Sequence, residues 1–322
     1  MRFHFALLSP FFLFAAKAPH FEPVDDAYQA WLTGPLLAPS SLVIPIGDLN
    51  VEPYIYAIAN TGFYNSDWKA EKNDTLWVNN IQPFFQAGLT EWMDFSLFLN
   101  GFYNYSDHQA KWNFGDIQFG IDIQLFHPPQ KSWAPNLKLA LRENFPVGKY
   151  RNLDPKKKGT DIGGIGSFAS SVGIVLGKLI HFGGVHFMST RLFLDYTLPA
   201  AVNLKGFNLY GGGYKTNARF FPAQNFQADL GIEVTLTQNW ALACDFLGSW
   251  SGKTHFSGDP GIALGGGPAT LGTGSAVQYS IAPAFEYNWN SQIGIIAGSW
   301  FTVAGRNSVQ FSSFVAAFNY YN

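Results

Sequence analysis

The residues able to do chemistry in this chain follow a rhythm of two. Asp116 and Asp122 share their parity with Gln118 and Gln124, while Ile117, Phe119, Ile121, Ile123 and Leu125 take the alternate positions. Lys138 and Arg142 interleave with Leu137, Leu139 and Leu141, and Asp229 and Glu233 with Leu230, Ile232 and Val234. Successive side chains of a strand point to opposite faces, so each such stretch has one apolar and one polar face. A helix would set Asp116 and Ile117 100° apart and leave no apolar side. With the apolar parity turned to lipid, Glu52, Asp94, Asp116, Asp122, Lys138, Arg142, Arg191, Asp195, Asp229, Glu233, Asp245 and Glu286 all face inward. Only Glu143 and Lys178 fall outside, both near strand ends.

Two kinds of chemistry fit these inward charges. Asp116, Asp122, Lys138, Arg142, Arg191, Asp195, Asp229 and Glu233 could line or narrow an acidic path with a basic stripe, favouring cations or polar solutes. They could equally form cross-strand ion pairs that fill and brace the interior. Phe98 and Phe193 share the inward parity and could meet an apolar solute or pack among themselves.

Catalytic constellations are weak. His255, Ser257 and Asp259 lie close together in a Gly-rich loop with nothing to position them, and His181 and His186 sit around a turn. The chain carries no phosphate loop, dinucleotide fingerprint or zinc spacing, so no catalytic residue, metal or cofactor is expected. Lys156, Lys157 and Lys158 could touch lipopolysaccharide phosphates or simply form a solvated loop tip. The triplets Gly211 to Gly213 and Gly265 to Gly267 mark flexible loops.

Composition says what must position these residues. Among 322 residues only 13% are charged, 17% are aromatic, and Gly numbers 33. Soluble domains carry about 25% charge, so this surface is not meant for water alone. The aromatic load excludes disorder, and a net charge of -2 excludes a basic nucleic-acid binder. Met1 to Ala18 has the form of a secretory signal, with Arg2, an apolar run and Ala16-Lys17-Ala18 as the cleavage site; Ala15-Ala16 is a competing boundary. Cys244, the single cysteine, can form no intrachain disulfide. The uncharged stretches Pro260 to Phe285 and Tyr287 to Gly305 are too rich in Gly, Ser, Asn, Gln and Pro to insert as helices. An exported chain of this kind crosses a membrane as a closed barrel, since hydrocarbon offers no partner to open backbone. A Gram-negative outer membrane, its lipid and its lipopolysaccharide are the expected surroundings.

Alternation predicts an all-β fold: a single closed antiparallel transmembrane β-barrel of about twelve strands. These are Asn50 to Thr61, Thr75 to Ala87, Trp92 to Tyr105, Phe114 to Phe126, Asn136 to Phe145, Gly166 to Lys178, Val185 to Leu198, Phe226 to Leu236, Trp240 to Trp250, Ser275 to Tyr287, Gln292 to Ala304 and Val309 to Tyr321. Connections after odd strands are mostly long and those after even strands short, the pattern of long outer loops and short periplasmic turns. Trp92, Trp240 and Trp289 sit at short turns and suit a periplasmic aromatic girdle, with Trp77 and Trp250 at the outer rim. Pro83 and Pro283 fall inside strands, where bulges are expected. Residues 19–49 form a periplasmic or plug-like segment, and residues 50–322 the barrel.

The segment Trp31-Leu32-Thr33-Gly34-Pro35-Leu36-Leu37-Ala38-Pro39-Ser40, then Val51-Glu52-Pro53-Tyr54, with turns on Leu89-Thr90 and Leu236-Thr237, resembles the outer-membrane barrel family labelled after the meta-pathway of phenol degradation. The resemblance covers most of the chain after the signal and implies a channel or transporter for small, often aromatic, solutes. It carries over no ligand-binding residues. The chain departs from the usual aromatic last residue of such barrels, because Asn322 follows Tyr320 and Tyr321. Passive or facilitated passage of small solutes is therefore the expected function. The alternative is a surface-exposed structural or adhesion barrel with a blocked lumen and binding loops. None of these features specifies an oligomeric state.

Overall fold

The computed structural model of the chain describes residues 29–129 and 132–322. The expected signal, residues 1–18, lies outside them. The strands in chain order are β1 (Leu49–Tyr64), β2 (Ala70–Thr90), β3 (Met93–Phe98), β4 (Gly101–Ser106), β5 (Gln109–Phe114), β6 (Ile117–Phe126), β7 (Asn136–Phe145), β8 (Ala169–Gly183), β9 (His186–Pro199), β10 (Val202–Lys205), β11 (Asn217–Phe221), β12 (Asn225–Thr235), β13 (Trp240–Ser251), β14 (His255–Asp259), β15 (Ala276–Asn288), β16 (Ile293–Arg306) and β17 (Ser308–Tyr321). All large-sheet neighbours pair antiparallel, and β1 pairs with both β17 and β2, which closes the barrel. The segments β3 and β4 continue one another along β2, and β6 and β5 continue one another along β3 and β4, so the wall has twelve strands around its circumference.

The alternation predicted from the residues is the alternation of burial. Every charge expected inside is buried, from Asp94, Lys138 and Glu286 at 0% exposure to Asp195 at 7%. On the other face Ile55, Phe119, Val172, Leu230, Phe246, Phe285, Val303 and Phe314 are exposed, an apolar belt that only lipid would cover. Glu143 and Lys178 do face outward; Ser170 donates to Glu143, and Lys178 to the carbonyls of Ser132 and Ala134.

Three expectations about the wall are corrected. Neither Pro83 nor Pro283 makes a bulge. The missing N–H shows instead as a gap without change of register: Pro83 faces the break at Leu99, whose N–H donates to its carbonyl, and the pairing of β15 with β16 lapses at Ala282 and Pro283. Bulges fall elsewhere, as between Asn60 and Gly62 and between Gln124 and Phe126. The span from Ser106 to Asn113 is mostly paired, with β4 and β5 joined at Asp107 and His108, both at positive φ. The triplet Gly211 to Gly213 is packed rather than free, since a Cβ on Gly213 would lie 2.0 Å from the Ile262 carbonyl.

Three loops at one end of the barrel fold together. From them come β10, β11 and β14, a small antiparallel sheet built from two loops, and a core of Val202, Leu204, Leu209, Tyr210, Ala218, Phe220 and Leu271 packed against Tyr150, Ile162 and Ile165. This cap stands over the loop end. The barrel's other end holds the short turns and the segment that precedes β1.

Candidate functional site

The interior has a floor, a chamber and a roof. The floor is the segment before β1. Its residues 32–44 are buried, and its irregular backbone belongs to no strand, so its N–H groups must find partners on the wall. The inward acids supply them. Glu286 accepts from Thr33, Glu233 Oε1 from Gly34 at 2.9 Å, Asp245 from Leu37 and Ala38 at 3.2 and 3.0 Å, and Asp94 Oδ2 from Ile44 at 3.0 Å. Gln124 Oε1 accepts from Val43 at 3.0 Å, while Gln238 and Asn288 donate to the carbonyls of Gln29 and Trp31 at 2.7 and 2.9 Å. The segment thus enters past the turn end, crosses the lumen and returns to β1 as a plug. Its apex, Leu36 and Leu37, packs in one cluster with Tyr54, Tyr56, Leu247, Ile296, Trp300 and Phe311.

The wall makes room for the plug with glycine at inward positions. A Cβ on Gly231 would meet Pro35 at 2.6 Å and Ala38 at 2.8 Å, one on Gly177 would meet Ser41 at 2.2 Å, and one on Gly88 the Pro45 carbonyl at 1.8 Å. These glycines, which the charge pattern did not reveal, seat the plug together with inward acids that it did.

The predicted site residues take four places. Asp122 binds Lys138 Nζ at 2.7 Å and the Arg142 guanidinium, a buried triad. Arg191 approaches Glu233 at 3.7 Å and donates to the Ala38 carbonyl at 3.4 Å, so this pair belongs to the plug seat; Asp229 is buried on the same strand as Glu233. Asp116 sits at the break between β5 and β6, where its carboxylate accepts from Gly148 and Ile165, each at 2.8 Å, and anchors the roof. Asp195, which accepts from the Thr197 hydroxyl at 3.0 Å, is the one of the eight that lines the chamber.

The chamber has a volume of about 810 Å³, within the range of about 300–1,000 Å³ usual for small-molecule sites. Apolar and aromatic side chains, among them Tyr56, Ile58, Phe102, Phe193, Leu247, Trp300 and Phe311, share its wall with Asn60, Asn80, Gln82, Asn104, Gln118 and Asn144. Phe98 stacks on Phe84 at 4.4 Å behind this surface. The roof contributes Ile162, Ile165, Leu209 and Tyr210. Burial, and next the nearby Asp116, push the Tyr210 hydroxyl well above its ordinary pKa, so it stays protonated and donates to the Ile165 carbonyl at 2.7 Å.

Other singled-out residues do not assemble. His255, Ser257 and Asp259 lie at alternate positions of β14, about 7 Å apart in succession, too far for proton transfer between neighbours. His181 bonds the Gly184 carbonyl at 2.9 Å and stacks on Phe187. Among the described residues no group of three or more His, Cys, Asp or Glu could hold a metal. Lys158 pairs with Asp107. Trp92, Trp240, Trp289 and Trp77 are 42–54% exposed, the first three at the turn end, and Trp250 is half-buried at the loop end beside Phe226 and Tyr279.

Comparison with solved structures agrees with this architecture. An outer membrane channel from Pseudomonas putida F1 superposes with a TM-score of 0.69 over 94% of this chain and 100% of that one, at 11% identity. The chain has the fold of that outer-membrane channel. The β domain of the Bordetella autotransporter BrkA gives a TM-score of 0.46 at 10% identity, covering 85% and 98% of the two chains. The transport unit of the autotransporter AIDA-I from Escherichia coli gives 0.42 at 11%, covering 85% and 90%. These two likenesses are too distant to carry an argument. Neither a protein-family model nor a curated protein sequence matches the chain.

Proposed function

We propose that this protein is an outer-membrane channel for small, largely apolar solutes, which pass through the chamber between plug and roof. The observation that carries this reading is the chamber itself: a space of about 810 Å³ inside a lipid-compatible barrel, walled mainly by aliphatic and aromatic groups. An open aqueous pore would need its charges free. Here Asp122, Lys138, Arg142, Arg191 and Glu233 are consumed by one another and by the plug. Export by the N-terminal signal and residence in the outer membrane, with Trp92, Trp240 and Trp289 at the periplasmic headgroups, belong to the same reading.

Leu247→Trp tests it by filling the chamber from the wall. Cells displaying the variant should take up a labelled ten-carbon alcohol several-fold more slowly than wild type, with unaltered heat-dependent gel mobility as the sign of a folded barrel. Equal uptake would remove the chamber from the path.

The plug favours a second reading, a barrel closed for good whose roof binds a surface partner. Shortening the loops 200–224 and 252–275 separates the two, since adhesion would be lost, whereas uptake would persist or rise.

A further inference from the structure

On the outward face one sector of the wall differs from the rest of the lipid belt. Among the described residues, the outward positions of β12, β13, β15, β16 and β17 hold no acid and a single base, Arg306. Register sets Arg306 beside Val277, and through it beside Trp250, Phe226 and Tyr196, on one rung at the loop end. Aromatic rings follow this rim. Phe226 lies 5.7 Å from Trp250, Trp250 5.8 Å from Tyr279, and Tyr279 6.3 Å from Trp68, which stacks on it from the β1–β2 turn. Aromatic side chains in such a row keep to the level of the lipid headgroups.

Arg306 is half-buried there. Its Nη2 donates to Ser275 Oγ at 3.2 Å, and among the described residues no carboxylate pairs with it. Two exposed lysines flank it. Asn307 donates to the Asn65 carbonyl at 3.3 Å, which brings the β1–β2 turn with Lys69 alongside, and Lys253 follows the end of β13, where Ser251 faces Ala276. Against these three bases the turn sets one exposed acid, Asp67, since Asn65 Nδ2 donates to Glu71 at 2.8 Å.

Below the rim the same strands open an apolar groove of about 730 Å³. Small outward side chains in neighbouring positions make it: Cys244 faces Pro283 across the ladder, and Ser299 and Ala297 follow on β16, between the exposed rings of Phe285 and Phe314. Seven residues of β16 separate Ser299 from Arg306. At a rise of about 3.3 Å per residue and a tilt of about 40°, the groove lies roughly 18 Å below the guanidinium. Half of the hydrocarbon core is about 15 Å, so a lipid whose head sits at the rim ends its chain in the groove.

We propose that this sector is a binding site for lipopolysaccharide, with a lipid A phosphate on Arg306, Lys69 and Lys253 and an acyl chain between Phe285 and Phe314. This goes beyond the channel reading and takes from it only residence in the outer membrane, whose outer leaflet meets the loop end. A guanidinium binds phosphate through paired N–H donors, and one without a carboxylate partner has them to give. Cation, aromatic rim and groove together select an anionic head on a long chain.

The test uses the full protein in detergent, stripped of lipid and titrated with deep-rough lipopolysaccharide, with dephosphorylated lipid A and with phosphatidylglycerol, bound lipid being read by native mass spectrometry. Lipopolysaccharide should bind at least about tenfold more tightly than either of the others. Arg306→Gln should weaken it about tenfold and Ala297→Trp, which fills the groove, several-fold. Val172→Trp, on the outward face of β8 and outside the sector, should leave it unchanged. Wild-type affinity in both Arg306→Gln and Ala297→Trp would overturn the site, and phosphatidylglycerol binding as tightly as lipopolysaccharide would overturn its occupant. Neither Arg306 nor Ala297 lines the chamber, so each of these outcomes leaves the channel reading as it stands.

Discussion

Asp245 holds two consecutive N–H groups of the plug, those of Leu37 and Ala38, and among the described residues no other acid does this. Hydrogen bonds to charged groups contribute about 1.5–3 kcal/mol each, so Asp245→Ala should weaken the plug's seat by about 3 kcal/mol. Open events in planar bilayers should then become about a hundredfold more frequent, one decade for each 1.4 kcal/mol. Traces identical to wild type would mean the plug does not depend on this anchor. Gly34 acts from the other side of the contact. Its φ is +107°, and a Cβ would lie 2.5 Å from Arg191 Nη1, so Gly34→Ala meets both backbone strain and a clash. A cost of about 1–3 kcal/mol follows from crowding of this kind, and limited proteolysis should cut residues 29–48 faster in the variant. At this scale the direction of every inward charge was legible, because a period of two needs no knowledge of neighbours. What the acids hold was not: the partners are backbone N–H groups some 50 to 250 residues away, and a backbone carries no residue-type signal. The glycines gave a usable sign, since Gly88, Gly177, Gly231 and Gly294 all fall on inward positions where a strand gains nothing from glycine.

Elements repeat the contrast. Most barrel strands were found to within one to three residues, with Asn136–Phe145 the same in sequence and structure, because each is long, alternating and bounded by turn residues; β2 begins five residues before its expected start and β8 ends five after its expected end. The three strands of the roof escaped notice. Strands β10, β11 and β14 have four or five residues each, too few for alternation to register, and β11 pairs with β14 across nearly forty residues. Their stability comes from burial of Phe220 and Leu204, both at 0% exposure. Phe220→Ala should therefore cost the roof about 3–5 kcal/mol, and the damage should stay local, because the β10–β11–β14 sheet shares no strand with the wall. Protease sites in 200–224 and 252–275 should open while the barrel keeps its heat-dependent gel mobility. Loss of both together would show that roof and wall unfold as one unit. The break between β5 and β6 ties the two elements: Asp116 leaves the ladder there, and its carboxylate receives the loop backbone at Gly148 and Ile165.

For the whole molecule, the decisive matter is how a twelve-stranded barrel uses its interior. Barrels near eight strands are filled by side chains and those near sixteen enclose water; this one is filled by backbone at one end and left hollow in the middle. The plug enters from the turn end and the roof closes the loop end, so a solute in the chamber leaves toward the turn end only if the plug shifts. That requirement can be tested by removing the plug's freedom. Gly231 and Ala38 are placed for a cross-link, since a Cβ on Gly231 would lie 2.8 Å from that of Ala38, and about 1 Å of adjustment reaches the spacing a disulfide prefers. In the variant Gly231→Cys, Ala38→Cys, with Cys244→Ala to leave no third thiol, oxidation should stop uptake of the ten-carbon alcohol and a reductant should restore it. Binding of the same alcohol to the chamber should survive the lock, because Leu36 and Leu37 already pack beneath the chamber-lining Tyr56, Leu247, Trp300 and Phe311 in the resting molecule. Uptake that continues at the wild-type rate with the cross-link closed would place the exit elsewhere in the wall and leave the plug a fixed part of the floor.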